Sequence, residues 1–138
     1  MKKYAGKYEL LRHENFAEYF KQMSPVVDDD VLALINRMED ERNSIEIKTD
    51  GGDNVLIISP AFSLKVILGQ PCTQEFFPGV FVRCTSAFAG NVLTIGLCLS
   101  FQPAPEVIRD FTFTDDKLTV TYTGRKTTVV AKSIYTKI

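Results

Sequence analysis

The chain is 138 residues long, which fits one domain with a hydrophobic core of its own. Hydrophobic residues make up 45% of it, charged residues 24%, and the formal net charge is −1. This balance excludes a nucleic-acid-binding protein that works through a basic surface, and no apolar run approaches the roughly 18 residues of a membrane span. We therefore expect one globular domain over residues 1–138.

The start of the chain and its cysteines predict a cytoplasmic protein. Lys2 and Lys3 are not followed by the apolar segment that a secretory signal has. The three cysteines, Cys72, Cys84 and Cys98, form an odd set without a Cys-x-x-Cys spacing. This argues against a disulfide framework and a zinc site, and predicts reduced thiols in the core or in a cavity wall. We expect no metal and no cofactor.

A first strand over residues 4–11 precedes two short predicted helices. One face of the first helix carries large side chains at helical spacing: Phe16, Tyr19, Phe20 and Met23. Ser24-Pro25 ends this helix, because the residue before a proline avoids the helical region. A second helix is predicted from about Asp28 to Met38. The pair forms a predicted helical hairpin over about residues 14–38.

From Ser44 onward, short β-rich runs alternate with turn signals. The predicted strands cover residues 44–49, 54–59, 63–68, 73–77, 80–88, 92–101, 107–114, 117–123 and 127–137. With the first strand they make ten. Antiparallel strands linked by hairpins avoid unpaired edges by closing, so we predict a mainly β, ten-stranded antiparallel up-and-down barrel capped by the helical hairpin. A barrel of this size has room for a small ligand.

Alternation along the last three strands predicts which side chains face the interior. On residues 107–114 the more apolar face, which we place inside, carries Val107, Arg109, Phe111 and Phe113. On the next strand one face carries Leu118, Val120 and Tyr122. On the last strand Lys132 belongs in water, which turns Ser133 and Tyr135 inward.

Three segments carry a family resemblance. They are Tyr4 to Leu10 with the following Glu14-Asn15-Phe16, then Leu68-Gly69-Gln70, and finally Ile134-Tyr135-Thr136-Lys137-Ile138. In this order and spacing the chain resembles the intracellular lipid-binding proteins, the family of fatty-acid-binding and cellular retinoid-binding proteins. The resemblance implies a lipocalin-like (calycin) barrel with a helix-turn-helix lid and no catalytic residues. It also implies non-covalent binding and intracellular transport of a hydrophobic ligand.

The chain departs from the family pattern where the ligand's polar end is expected. Many members have an arginine two residues before the last-strand tyrosine, and that position is Ser133 here. The position of a second family arginine is Phe111, whereas Arg109 lies two residues earlier on the same side. Only Tyr135 matches directly. The family's carboxylate clamp therefore cannot be transferred whole.

We predict that Arg109 and Tyr135 hold the polar end of the ligand, with Ser133 facing the same interior. The apolar part of the predicted site is bordered by Phe16, Phe20, Phe111 and Tyr122. Three alternatives stay open. Arg109 pairs with an internal acid or water, or turns outward through a register slip; Tyr135 is a core tyrosine; and the lid phenylalanines only pack the lid.

The orientation of residues 92–101 is also open. The more apolar face carries Leu93, Ile95, Leu97, Leu99 and Phe101. The family register would instead turn a different set inward: Thr94, Gly96 and Cys98.

The preferred function is transport of a long-chain fatty acid rather than catalysis. His13, the only histidine, is expected at the start of the lid and outside the barrel, and no nucleophile elbow or phosphate loop is present. The alternatives are a binder of a retinoid, bile acid or other lipid, and a barrel scaffold that acts mainly through protein–protein contacts. We expect a monomer without a nucleic-acid partner, and the lid is the surface expected to contact a membrane transiently.

Overall fold

The computed structural model describes residues 1–23, 33, 44–59, 63–77, 80–99, 107–125 and 127–138. A short 3-10 helix, Lys2–Tyr4, precedes these elements: β1 (Gly6–Glu14), α1 (Phe16–Met23), β2 (Ser44–Thr49), β3 (Asn54–Ile58), β4 (Ser63–Ile67), β5 (Cys72–Phe77), β6 (Val80–Ala89), β7 (Val92–Leu99), β8 (Val107–Thr114), β9 (Lys117–Gly124) and β10 (Ala131–Lys137). The ten predicted strands are confirmed. The second predicted helix lies outside the described residues except for residue 33.

The ten strands form one antiparallel sheet in the order β4-β3-β2-β1-β10-β9-β8-β7-β6-β5. Strands that follow each other in the chain therefore pair, except for β4 and β5, and the first strand also pairs with the last. Tight turns make these hairpins possible: Gly90, with φ of 64°, follows β6, and Asp115, with φ of 48°, follows β8. Glycine and aspartate tolerate this left-handed conformation. The result is the predicted up-and-down barrel.

Burial alternates along the strands, which shows which face is the interior. In β2 to β4 the buried positions are separated by single exposed or half-buried ones. The buried hydrophobic residues form one cluster that draws on every strand from β1 to β4 and from β6 to β10. The core of the molecule is therefore the inner face of the barrel.

Strand β1 contains an irregularity that changes which of its residues face inward. Leu10 lies opposite Tyr135 and Arg12 lies opposite Ile134, so Leu11 is an extra residue in the ladder. Tyr8 and Leu10 precede it on the inner side, and the extra residue shifts the alternation by one position. As a consequence His13 lies opposite the inward-facing Ser133.

The barrel is nearly closed, with a seam between β4 and β5. In the described ranges no ladder joins these strands, and Ile67 and Gln70 form an isolated bridge there. The side-chain amide of Gln74 spans the seam: its Oε1 accepts from Lys65 N–H at 3.1 Å and its Nε2 donates to Lys65 C=O at 2.8 Å. A side chain thus makes the pair of bonds that a neighbouring strand would otherwise supply.

Aromatic side chains fill the end of the barrel near the N-terminus. The Tyr4 ring stacks on Phe113 with centroids 4.6 Å apart and meets Phe88 edge-on at 6.0 Å. The buried Tyr8 hydroxyl donates to Tyr4 C=O at 2.7 Å. These contacts hold the 3-10 helix against the barrel.

The helices that the structure describes include none that is both long and apolar enough to cross a membrane. Within the same described ranges, His, Cys, Asp and Glu side chains form no group of three or more that could hold a metal ion.

Candidate functional site

A polar cluster lies inside the barrel, under α1. Its members are contributed by the inward faces of β8, β9 and β10, and they are Arg109, Tyr122, Ser133 and Tyr135. Arg109 is only 4% exposed, and its Cζ lies 5.4 Å from the centroid of the Tyr122 ring. A guanidinium over an aromatic face is attracted by the ring quadrupole. The interior therefore holds a buried positive charge next to polar groups of the same cluster.

Ser133 connects the cluster through its hydroxyl. Its Oγ donates to Tyr122 Oη at 3.3 Å, and the same oxygen is hydrogen-bonded to His13 Nδ1 at 2.6 Å. Tyr135 lies two residues further along the same inward face of β10 and is also buried. Because Ser133 is completely buried, these bonds satisfy a hydroxyl that water does not reach.

The expectation that His13 lies outside the barrel is wrong. His13 belongs to β1 and pairs with Ser133 across the β1–β10 ladder. The extra residue Leu11 is the reason, since it reverses the alternation that Tyr8 and Leu10 establish. The single histidine of the chain is therefore part of the cluster.

Helix α1 places aromatic rings over this end of the barrel. Phe16 is buried, stacks on His13 with centroids 4.1 Å apart, and meets the Tyr122 ring edge-on at 5.8 Å. The Tyr19 hydroxyl donates to Thr123 C=O at 2.6 Å. The side chain of Phe20 lies outside what the structure describes.

Burial raises the pKa of two phenols in this region, which extends their neutral form further into the alkaline range. It raises the pKa of Tyr19 from 10.0 to about 12, against the opposing effect of the Arg109 charge. The pKa of Tyr135 is raised further, again chiefly by burial, and Tyr122 adds to the increase. At neutral pH these hydroxyls are therefore hydrogen-bonding groups without negative charge.

The predicted orientations of the last three strands agree with the burial pattern. Arg109, Phe111 and Phe113 are buried on β8, as are the inward residues of β9 and β10. The hydroxyl of Tyr122, a residue predicted to border the apolar part of the site, is hydrogen-bonded within the polar cluster. Phe111 lies next to Val120 and Leu93 in the ladders and borders the apolar part.

The pairing of β7 with β8 determines the orientation of β7, which the sequence left open. Leu93, Ile95 and Leu97 lie opposite Phe111, Arg109 and Val107, so the apolar face shares the interior with Arg109. All three are buried. Strand β7 does not follow the family register, which would turn Thr94, Gly96 and Cys98 inward.

Sequence reasoning missed two members of this end of the barrel, His13 and Tyr19. Tyr19 was visible as part of the aromatic face of the first helix, but nothing in the pattern indicated its bond to Thr123. No sequence signal revealed the inward turn of His13, because a one-residue irregularity in a strand has no distinctive composition.

Comparisons with known proteins agree with this architecture, although no family model matches the chain. Fatty acid binding protein 1-A, liver, of Danio rerio is 33% identical over 96 residues, which are 66% of this chain and 70% of that protein. Among solved structures, apo lipid binding protein 8 of Caenorhabditis elegans has a TM-score of 0.79 at 18% identity, over 100% of this chain and 97% of that one. The fatty-acid-binding protein of Manduca sexta has a TM-score of 0.73 at 22% identity, over 96% and 97%.

The fold and the interior together define a class: ten-stranded, nearly closed β-barrels with a polar cluster inside an apolar core. Within that class, the identity and coverage of the Danio rerio relative identify the family. The chain belongs to the intracellular lipid-binding proteins, the family of the fatty-acid-binding proteins.

Proposed function

We propose that the protein binds a small hydrophobic ligand, a long-chain fatty acid, non-covalently inside the barrel and carries it without chemical change. The observation that carries this proposal is the buried guanidinium of Arg109 within an apolar interior. The Danio rerio relative and the Manduca sexta structure are both named as fatty-acid-binding proteins, which supports the same ligand class.

The electrostatics of the polar cluster favour a carboxylate. A buried positive charge is costly unless an anion or several hydrogen bonds compensate it. The phenols of Tyr19 and Tyr135 carry no negative charge at physiological pH, and burial raises the pKa of both further above that range. A fatty acid carboxylate would supply the negative charge, and the Tyr122 and Tyr135 hydroxyls would add hydrogen bonds to it.

The apolar walls supply most of the affinity in this proposal. Burying a methylene group contributes roughly 0.8 kcal/mol, so a chain of about 16 carbons contributes on the order of 12 kcal/mol before ordering costs. A hydrogen-bonded charge adds about 1.5–3 kcal/mol. Arg109 would therefore select the head group, whereas residues such as Phe111 and Phe16 would contact the chain.

The cytoplasm is the proposed location and the monomer the proposed working form. The three cysteines are free in the structure, which fits a reducing compartment. We also propose that α1 belongs to a lid that contacts membranes transiently, since it covers the end of the barrel at which the polar cluster lies.

The test compares Arg109→Met with the matched control Arg12→Met. The Arg12 side chain is on the exposed outer surface, with 61% of its area accessible. We expect Arg109→Met to weaken the binding of palmitate by roughly 10- to 150-fold in a fluorescent-ligand displacement assay, which corresponds to about 1.5–3 kcal/mol. The affinity for the corresponding fatty alcohol should stay within about twofold, and Arg12→Met should change neither.

Equal loss of both ligands in Arg109→Met would contradict the head-group role. A displacement panel in which only retinoids or bile acids bind would replace the fatty acid with another lipid. Failure of every lipid to bind the purified protein would favour a scaffold that works through protein contacts.

A further inference from the structure

Two cysteines of the barrel wall lie opposite each other on neighbouring strands. Cys72, the first residue of β5, is the direct partner of Cys84 on β6. Opposed residues in an antiparallel ladder have Cα atoms about 4.5–5.5 Å apart, and disulfides join Cα atoms about 4.4–6.8 Å apart. A bond between these cysteines therefore needs no change in strand pairing.

The two thiols share a third partner, the side-chain amide of Gln74. Gln74 Nε2 lies 3.1 Å from Cys84 Sγ and 4.0 Å from Cys72 Sγ. Both cysteines are free in the structure, so this arrangement is the reduced form of the pair.

The two thiols differ in access. Cys72 is partly exposed beside the seam, whereas Cys84 is buried, and burial raises the pKa of Cys84 to about 11. Because the thiolate is the nucleophile and must reach its target, an external reagent meets Cys72 first.

We propose that Cys72 and Cys84 are a redox-responsive pair that a small-molecule disulfide, such as oxidised glutathione, converts into an intramolecular disulfide. The Cys72 thiolate attacks one sulfur of the reagent, which forms a mixed disulfide and releases one glutathione. Cys84 loses its proton and attacks the Cys72 sulfur, which releases the second glutathione. The pair gives up two protons and two electrons, and the reagent takes them up as two thiols.

Oxidation changes the seam between β4 and β5. In the reduced form Cys72 S–H donates to Lys65 C=O across the seam at 3.1 Å. A disulfide sulfur has no proton to donate, so oxidation removes this contact and leaves the Gln74 amide bonds to Lys65. The Cys72–Cys84 pair needs no ligand, so its oxidation is independent of the proposed lipid binding.

The experiment exposes the folded protein to oxidised glutathione and counts free thiols after denaturation. We expect the count to fall from three to one, with a mass loss of two hydrogens and a peptide that links residues 72 and 84. Dithiothreitol should restore all three thiols. In Cys98→Ser the count should fall from two to zero.

Cys84→Ala is the matched control, and circular dichroism checks that it folds. It should stop at a mixed disulfide between glutathione and Cys72, because the second thiol is missing. An unchanged thiol count in the wild type, a link that includes Cys98, a disulfide between two chains, or a persistent mixed disulfide would each overturn the proposal.

Discussion

Ser133 shows how one small residue organises the polar interior of this barrel. Its hydroxyl joins His13 on β1 to Tyr122 on β9, so three strands meet at one oxygen. The resemblance implies an arginine at this position in many family members, whereas this chain has Ser133 here and a buried arginine, Arg109, on β8.

Replacing this hydroxyl should be costly. Ser133→Ala leaves a buried tyrosine hydroxyl and a histidine nitrogen without their shared partner, which typically costs about 1–3 kcal/mol of stability. Urea denaturation of the variant measures the loss. Ser44→Ala, which alters an exposed serine at the start of β2, should change the free energy of unfolding by less than about 0.5 kcal/mol. Equal effects of the two substitutions would contradict the role of Ser133.

The phenol of Tyr19 makes stability depend on pH in the alkaline range. Its pKa is raised from 10.0 to about 12 in the folded protein. Below pH 10 the Tyr19 phenol is protonated in both the folded and the unfolded state, and its contribution to stability is complete. Between pH 10 and 12 the unfolded state loses this proton first, so the free energy of unfolding falls. Chemical denaturation at several pH values should show this fall, and Tyr19→Phe should make it shallower. An unchanged slope in the variant would contradict the assignment.

At the scale of elements, side chains bridge the seam between β4 and β5, whereas strand pairing forms the rest of the barrel wall. β4 and β5 are the two ends of the sheet order, and the Gln74 amide makes two hydrogen bonds to the Lys65 backbone between them. Gly69 N–H and the Ser86 hydroxyl add bonds nearby, to Ser86 C=O and Ile67 C=O respectively. The seam therefore depends on individual residues in a way that the β8–β9 ladder does not.

Removing the Gln74 amide should loosen the seam locally. In Gln74→Ala we expect the Lys65 amide to exchange with deuterium about 5- to 13-fold faster, because a hydrogen bond worth about 1–1.5 kcal/mol is lost. Amides of β8 and β9 should keep their wild-type rates. Gln70→Ala, which shortens an exposed glutamine next to the seam, serves as the control. Uniformly faster exchange throughout the sheet would instead indicate global destabilisation.

At the scale of the whole molecule, different aromatic contacts cover the two ends of the barrel. Tyr4 and Phe113 stack at one end, and α1 sets Phe16 over Tyr122 at the other. The polar cluster lies at the second end, which makes that end the one where we expect a ligand's head group to lie.

Ligand binding should stabilise the molecule as a unit. Palmitate at a free concentration of about 100 times its Kd adds roughly 2.7 kcal/mol, which for a domain of this size raises Tm by about 10 °C. Differential scanning calorimetry with and without the ligand measures the shift. Arg109→Met at the same palmitate concentration should show a smaller shift, and no shift in the wild type would contradict the proposed function.

The sequence by itself determined the number of strands, their order and the inward face of β8 to β10. Those features follow from local rules, namely period-two burial and turn residues such as Gly90 and Asp115, and each rule acts within a few residues of the chain. The inward orientation of Arg109, Phe111, Ser133 and Tyr135 was predicted in this way, and all four are buried.

Only the tertiary structure decided the position of His13, the orientation of β7 and the way the seam is held. The extra residue in β1 appears only when β1 is aligned with β10, and β7 is oriented by its pairing with β8. Gln74 reaches Lys65 because the two ends of the sheet come together on closure. Each of these contacts depends on the register between strands, and register is a property of the assembled sheet rather than of any one segment.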